Sequence, residues 1–195
     1  MVSKNNFRFI NCIGHHTLLY GETDTGKTYL TAKFIEFLIQ SESINPEDIS
    51  ILDFAPPINS FNNIKFGGKI KDFSKVSLQC KNIPLNGEII PPRFAASNKK
   101  QLYDFICHNY RITSQCLETF KEKPTGYLIV NDLSIYLHLG NKNSFLELIN
   151  TVNTFFGNSY YGVEIKSDFS KLLSLKEKNR VEFLIKNIEN PISTS

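Results

Sequence analysis

Residues 17–28 are Thr17-Leu-Leu-Tyr20-Gly21-Glu-Thr-Asp-Thr-Gly26-Lys27-Thr28, and the last eight fit the pattern G-x-x-x-x-G-K-[ST] at every fixed position. Thr17–Tyr20 is apolar enough for a short buried strand, and residues 29–40 have the apolar spacing of a helix. In that order, the main-chain N–H groups of the loop converge at a helix N-terminus, where they bind phosphate oxygens. The stretch therefore predicts a phosphate-binding loop at Gly21–Thr28; the alternative is a simple glycine turn in front of a helix.

The fixed positions of this loop have separate chemical roles. Gly21 and Gly26 permit the backbone angles and the close approach of a ligand, Lys27 would reach the outer phosphates, and Thr28 would coordinate Mg²⁺. The residues predicted to contact the nucleotide are Gly21, Glu22, Thr23, Asp24, Thr25, Gly26, Lys27, Thr28 and Tyr29.

With this loop, called Walker A, the chain resembles the P-loop NTPase superfamily, and the resemblance implies ATP and Mg²⁺ as ligands. The superfamily has a second motif, Walker B, in which an apolar strand ends in an aspartate that holds Mg²⁺ through water. Tyr127-Leu-Ile-Val-Asn-Asp132 fits it, which predicts Thr28 and Asp132 as the metal site. The alternative is that Asp132 only caps a helix beginning at Leu133.

The distance between the two motifs is similar to that of the RecA-like (ASCE) division of the superfamily. About 105 residues separate Lys27 from Asp132, and in that division an extra strand lies between the Walker A and Walker B strands. RecA-like proteins also carry a polar sensor at the end of that extra strand. The predicted strand at residues 151–156 leads to Gly157 and Asn158, so the resemblance implies Asn158 as the sensor, with an ordinary turn as the alternative.

One residue departs from the common pattern, because Leu133 stands where many ASCE proteins have a catalytic glutamate. In RecA- and KaiC-like members the catalytic carboxylate instead ends the strand after the P-loop helix. Asp53 ends the apolar run 49–53, so it is the candidate general base. Its alternative role is that of a turn residue before Pro56. The predicted catalytic set is Lys27, Asp53 and Asn158.

The alternation of strands and helices predicts an α/β three-layer sandwich with a mainly parallel central sheet, the RecA-like P-loop fold. We expect a single domain over residues 1–195, with a loop or small hairpin inserted around residues 58–87. Other predicted features are an edge segment or strand at 7–13, a third strand at 88–92, a long helix capped by Asn98 with Gln101, and a capping box at 174–177 that opens the last helix.

Composition restricts the function only weakly. A net charge of +3 permits contact with nucleic acid but does not indicate it. The four cysteines have no C-x-x-C spacing, so neither a zinc site nor a disulfide framework is indicated. The N-terminus lacks the apolar core of a signal peptide and no apolar run is long enough for a membrane span, so we expect no membrane contact and a cytoplasmic protein.

Three functions fit these motifs: an ATPase that couples hydrolysis to a conformational or assembly step, a small-molecule or nucleotide kinase, and a regulatory nucleotide-binding module with little turnover. A kinase lid needs clustered arginines, whereas the four arginines of this chain are scattered. Arg93 would contact a phosphate or a partner, or form a surface salt bridge. We expect slow hydrolysis, stimulated by a protein partner or by a second copy that supplies Arg93 or Arg180.

Overall fold

The computed structural model describes residues 7–61, 64–163 and 170–195. The strands are β1 His16–Gly21, β2 Ile49–Asp53, β3 Asn59–Phe61, β4 Ile64–Phe66, β5 Lys81–Asn82, β6 Tyr127–Asn131, β7 Thr154–Tyr160 and β8 Asn190–Ser193. The helices are α1 Lys27–Gln40, α2 Ile70–Phe73, α3 Pro92–Ala95, α4 Lys99–Glu122, α5 Ser134–Leu137, α6 Lys142–Ile149 and α7 Lys171–Asn187.

Six strands form a central sheet in the order β5-β2-β6-β7-β1-β8, and every neighbouring pair is parallel. Strand β7 therefore lies between β1, which leads into the phosphate-binding loop, and β6, which carries the second motif. This is the strand order that the RecA-like resemblance implies. All carboxyl ends of a parallel sheet meet at one edge, so the residues after β1, β2, β6 and β7 are brought together there.

Helices cover both faces of this sheet. Successive residues of a strand point to opposite faces, so Leu18 packs in a core with α4, α6 and α7, whereas Leu19 packs in a second core with α1. Phe155 and Phe156 of β7 divide between the two cores in the same way. The predicted fold class, a three-layer α/β sandwich with a mainly parallel sheet, is confirmed.

Helix α1 is fixed to the sheet by aromatic and aliphatic packing. Leu30, Phe34 and Leu38 follow one another at four-residue spacing and are buried. The ring of Phe34 stacks on Phe156 with 4.3 Å between the ring centroids. This packing holds the first turn of α1, and hence the phosphate-binding loop before it, independently of any ligand.

The segment 88–92 is not the third strand that its apolar residues predict. Pro91 and Pro92 have no N–H groups for a strand ladder. The side chain of Asn109 on α4 instead pairs with the main chain of Ile90, accepting from its N–H at 3.0 Å and donating to its carbonyl at 2.7 Å. The outer place beside β2 is taken by β5.

The N-terminal edge segment and the strand before Gly157 also differ from prediction. Phe9–Cys12 is a 3₁₀ helix rather than a strand, because the ring of Phe9 turns onto Phe34 and Phe37 of α1, at 5.8 Å from each. Residues 151–153 form the turn that ends α6, so strand β7 begins at Thr154 and continues to Tyr160.

The last helix begins earlier than its predicted capping box. Helix α7 begins at Lys171, which places Ser174 and Glu177 inside it. Glu177 is buried and pairs with Arg93 instead of capping the helix. At α4, by contrast, the side chain of Asn98 accepts from the N–H of Gln101 at 3.0 Å, as its sequence predicts.

The segment 58–87, which we predict to be an insertion, contains both strands and helical turns in its described part. Strands β3 and β4 form an antiparallel pair, after which come α2 and a 3₁₀ turn over Val76–Gln79. The pair is attached to the phosphate-binding loop, since Thr23 donates its hydroxyl to the carbonyl of Lys65 at 2.8 Å. None of the helices in the described ranges combines the length and apolarity required to cross a bilayer.

The pairing of Asn109 with Ile90 predicts a large stability effect. Asn109→Ala would leave the partly buried main-chain N–H and carbonyl of Ile90 without their side-chain partner, so we expect the free energy of unfolding to fall by about 1–3 kcal/mol. Asn143 is exposed on α6, and Asn143→Ala should change it by less than about 0.5 kcal/mol. Urea unfolding measures both; equal effects of the two substitutions would contradict this role of Asn109.

Candidate functional site

The phosphate-binding loop joins β1 to α1 through a backbone that only certain residues adopt easily. Gly26 has φ 86° and Asp24 has φ 53°, both in the left-handed region. At Gly21 a Cβ would lie 2.5 and 2.6 Å from the hydroxyl oxygens of Ser195 and Thr194. No side chain caps the N-terminus of α1, and its first turn carries no acidic residue. The uncapped helix end therefore suits an anion.

The Lys27 side chain is folded over this loop and is only 9% exposed. Its ammonium donates to the carbonyls of Gly21, at 3.0 Å, and Glu22, and to the hydroxyl of Thr25 at 3.2 Å. Burial lowers the pKa of Lys27 to about 8, although the nearby charges of Asp132, Glu22 and Asp24 act in the opposite direction. The acceptors of this ammonium among the described residues are neutral oxygens, so its charge is not cancelled by a direct ion pair and can be offset by an anionic ligand.

The side chain at the centre of the site is Asn131, the last residue of β6. Its Oδ1 accepts from the hydroxyl of Thr28 at 3.1 Å and from the amide of Asn158 at 2.8 Å. Its Nδ2 donates to a carboxylate oxygen of Asp53 at 2.7 Å and to the carbonyl of Gly68 at 3.0 Å. Both donors and both acceptor positions of the buried amide are thus occupied.

The sequence motif did not predict a role for Asn131, because the Walker B pattern assigns the functional position to the next residue, Asp132. In the structure Thr28 bonds to Asn131, not to Asp132. The available signal was the pair of polar residues that follows four apolar ones at 127–130. A carboxylate at 131 would face Asp53, whereas the amide donates to that carboxylate and accepts from Thr28.

Asp132 lies just beyond β6 with φ 57°, which turns its side chain from the strand into the cleft beside Lys27 and Thr28. One of its oxygens accepts from the hydroxyl of Ser134 at 2.6 Å, and its main-chain N–H donates to Asn158 at 3.1 Å. Burial raises the pKa of Asp132. Among the described contacts the Asp132 carboxylate accepts from the Ser134 hydroxyl and not from a main-chain N–H of α5, so Asp132 is not the helix cap of the alternative interpretation.

Asn158 is a buried residue inside β7, not part of a turn. Its amide nitrogen donates to Thr31 at 2.9 Å as well as to Asn131, and its oxygen holds the main chain of Asp132. Asn158 also lines the cleft. It therefore connects α1, β6 and the residue after β6.

Asp53 is brought to the same edge but faces away from the cleft. Its carboxylate accepts from Asn131, from the N–H of Ile70 at 2.8 Å and from the N–H of Ala55 at 3.4 Å. Burial raises the pKa of Asp53, although Lys69 and these hydrogen bonds oppose the shift. Asp53 is not one of the described residues that line the cleft.

The cleft above the phosphate-binding loop has a volume of about 330 Å³. One wall contains Lys27, Thr28, Asp132 and Asn158, and another is formed by the segment 58–87 together with Tyr29 and Phe94. That second wall is aromatic: Phe66 stacks on Phe94 with ring centroids 3.9 Å apart, and the ring of Tyr29 meets Phe73 edge-on at 6.5 Å. A polar end next to an aromatic end matches the two halves of a nucleotide.

The two arginines expected to act on another copy are both engaged within this chain. Arg93 lines the cleft and forms a buried ion pair with Glu177, not a surface salt bridge. Arg180 donates to the carbonyls of Leu137 and His138, at 2.9 and 2.6 Å, at the end of α5.

No family model and no curated protein matches the chain. A solved structure that resembles it is the crystal structure of Pif1 helicase from Candida albicans, at 13% sequence identity and a TM-score of 0.35. The match covers 93% of this chain and 36% of the helicase chain, so this chain spans about a third of that protein's length. At such a TM-score the helicase's activity has no bearing on this chain.

The contact between Asn131 and Asp53 predicts coupled stabilities. Asn131→Asp would place two carboxylates together and lower the free energy of unfolding by about 2–4 kcal/mol. Adding Asp53→Asn exchanges amide and carboxylate, so we expect the double variant to be at least about 1 kcal/mol more stable than the single Asn131→Asp variant.

A double-mutant cycle measured by urea unfolding tests this coupling. Asn153→Asp on the exposed turn before β7 is the matched control and should have little effect. Simple additivity at positions 131 and 53 would show that the two side chains do not interact.

Proposed function

We propose that the chain binds a nucleoside triphosphate, ATP with Mg²⁺, in this cleft. It hydrolyses the nucleotide slowly, and hydrolysis is coupled to a conformational or assembly step. The observation on which the proposal depends is the uncapped N-terminus of α1, which carries Lys27 and Thr28 beside Asp132 in one cleft. Main-chain N–H groups at a helix end and a buried ammonium suit anionic oxygens, including those of phosphates.

The donor set also fits Mg²⁺. Proteins hold this ion through one or two oxygen ligands while phosphates and water complete the octahedron. The hydroxyl of Thr28 and the carboxylate of Asp132 would hold it; in the described part of the chain no cluster of three or more histidine, cysteine, aspartate or glutamate side chains offers another metal site. Bound there, Mg²⁺ would neutralise charge on the phosphates.

The remaining polar residues position these groups. Asn131 keeps the Thr28 hydroxyl oriented and Asn158 holds the main chain of Asp132. Asp53, the predicted general base, does not line the cleft, and its carboxylate accepts a hydrogen bond from Asn131. We therefore assign Asp53 a positioning role, which agrees with slow turnover because little else in the cleft would activate water.

The orientation of Asp53 also favours the second candidate, a regulatory module that binds nucleotide with little turnover. Phosphate release from Mg²⁺-ATP with no acceptor present indicates the hydrolase. Bound ATP that persists after many hours indicates the regulatory module. The kinase has less support, because Arg93 is the sole arginine among the described residues that line the cleft.

Lys27→Ala should weaken ATP binding by about 100-fold or more, because it removes the charged donor to the outer phosphates. The fold should persist, since α1 is fixed through Leu30, Phe34 and Leu38. Lys100→Ala, an exposed lysine at the start of α4, is the matched control and should bind as the parent does. Calorimetric titration measures the Kd; unchanged affinity in Lys27→Ala would rule out the phosphate-binding loop.

Asp132→Asn should keep the affinity for ATP measured in EDTA and lose the gain that Mg²⁺ gives the parent, since an amide holds the ion more weakly than a carboxylate. The matched control is Asp104→Asn on the exposed face of α4. The measurement is the ratio of Kd values with EDTA and with Mg²⁺. An equal ratio in Asp132→Asn and parent would leave Asp132 a structural residue only.

A further inference from the structure

We propose that Arg93 binds the terminal phosphate of the nucleotide within its own chain, and that Glu177 and His138 hold it in place for that contact. The inference rests on the proposed function, because it takes the cleft as the triphosphate site. It replaces the expectation that the arginine comes from a partner.

The position of Arg93 is rigid and faces the cleft. The residue lies in the first turn of α3, directly after Pro91 and Pro92, whose rings fix the backbone. Its side chain is 7% exposed and lines the same cleft as Lys27 and Asp132. The centre of the guanidinium lies 5.7 Å from the ring centroid of Tyr160, which limits its movement.

The guanidinium is only partly satisfied by the chain. Its Nη2 contacts a carboxylate oxygen of Glu177 and lies 3.4 Å from the hydroxyl of Ser174. The Nε is buried and has no hydrogen-bond partner among the described residues. A buried N–H without a partner is unfavourable, and a buried ion pair alone rarely stabilises a fold. A donor left open at a cleft wall is expected where a ligand supplies the acceptor.

Glu177 is the fixed anion of this group. Burial alone would raise its pKa, but the charge of Arg93 and the contact with His138 hold the pKa of Glu177 below its ordinary value. His138 approaches the other carboxylate oxygen, with Nε2 3.4 Å from Oε1. Glu177 therefore stays ionised and keeps Arg93 in a single orientation.

A continuous set of contacts connects this group to Asp132. Ser134 donates to Asp132 at 2.6 Å, and His138 lies one helical turn further, where its N–H donates to the carbonyl of Ser134 at 3.1 Å. From His138 the contacts continue to Glu177 and then to Arg93. Arg93 is thus attached to the part of the cleft where Asp132 lies. In the proposed function Lys27 and Asp132 face the outer phosphates, so we assign the terminal phosphate to Arg93.

The geometry favours a phosphate over other acceptors. The planar fork of a guanidinium matches phosphate oxygens. Because Glu177 already balances the charge of Arg93, the negative charge of the phosphates would be offset mainly by Lys27 and Mg²⁺. The aromatic wall formed by Phe66 and Phe94 offers the base a separate place. A diphosphate would then reach Lys27 but not Arg93, so Arg93 would distinguish a triphosphate from a diphosphate.

The test compares binding of two Mg²⁺-loaded probes, ADP and the non-hydrolysable β,γ-imido analogue of ATP. In Arg93→Ala we expect affinity for the imido analogue to fall about 10- to 100-fold and affinity for ADP to change less than about threefold. Arg111→Ala, an exposed arginine on α4, removes the same charge and should leave both affinities unchanged. The ratios should not depend on protein concentration, since the arginine acts in its own chain.

Arg93→Lys keeps a cation beside Glu177 and provides the same measurement if Arg93→Ala does not fold. It should lose affinity for the imido analogue preferentially, because an ammonium lacks the fork. Equal losses for both probes, or none for either, in the folded variant would overturn the role of Arg93. Failure of the proposed function would look different: the parent would bind neither probe, or Lys27→Ala would bind both normally.

Discussion

The amide of Asn131 determines how the polar end of the cleft is built. It stands at the carboxyl edge of the sheet, where the neighbouring ends of β2, β6 and β7 bring Asp53 and Asn158 within hydrogen-bond distance. Only a side chain with two donors and two acceptors satisfies Asp53 on one side and Thr28 on the other. The directions of Thr28, Asp53 and Asn158 follow from that requirement, and Asp132 takes its direction from Asn158.

The parts of the site that the sequence predicts well are those fixed by local pattern. The loop between β1 and α1 follows from Gly21, Gly26 and the apolar segments on either side, and the sheet follows from alternating apolar segments; phosphate binding by this loop stays a prediction. Strand order was implied only by the resemblance and by the distance between the motifs. These features require no knowledge of which residues meet across the fold.

The features that the sequence could not predict depend on contacts between distant residues. Residues 88–92 have a strand-like composition, but Asn109 on another element satisfies their main chain. Asp53 ends a strand as predicted, yet the direction of its carboxylate is set by Asn131 and Ile70. Arg93 and Glu177 are separated by 84 positions, so nothing local distinguishes their buried pair from a surface one.

The hydrogen bonds at the sheet edge have a further consequence for folding. Thr28 and Asn131 are 103 positions apart, Asn131 and Asp53 are 78, and Thr31 and Asn158 are 127. Such contacts form only when most of the parallel sheet is assembled, and topologies of this kind fold slowly. A fragment that carries the phosphate-binding loop alone would lack the site. A nucleotide that binds as proposed and is present at about 100 times its Kd would stabilise the native chain by about 2.7 kcal/mol, and nucleotide supply would then affect how long the chain survives proteolysis.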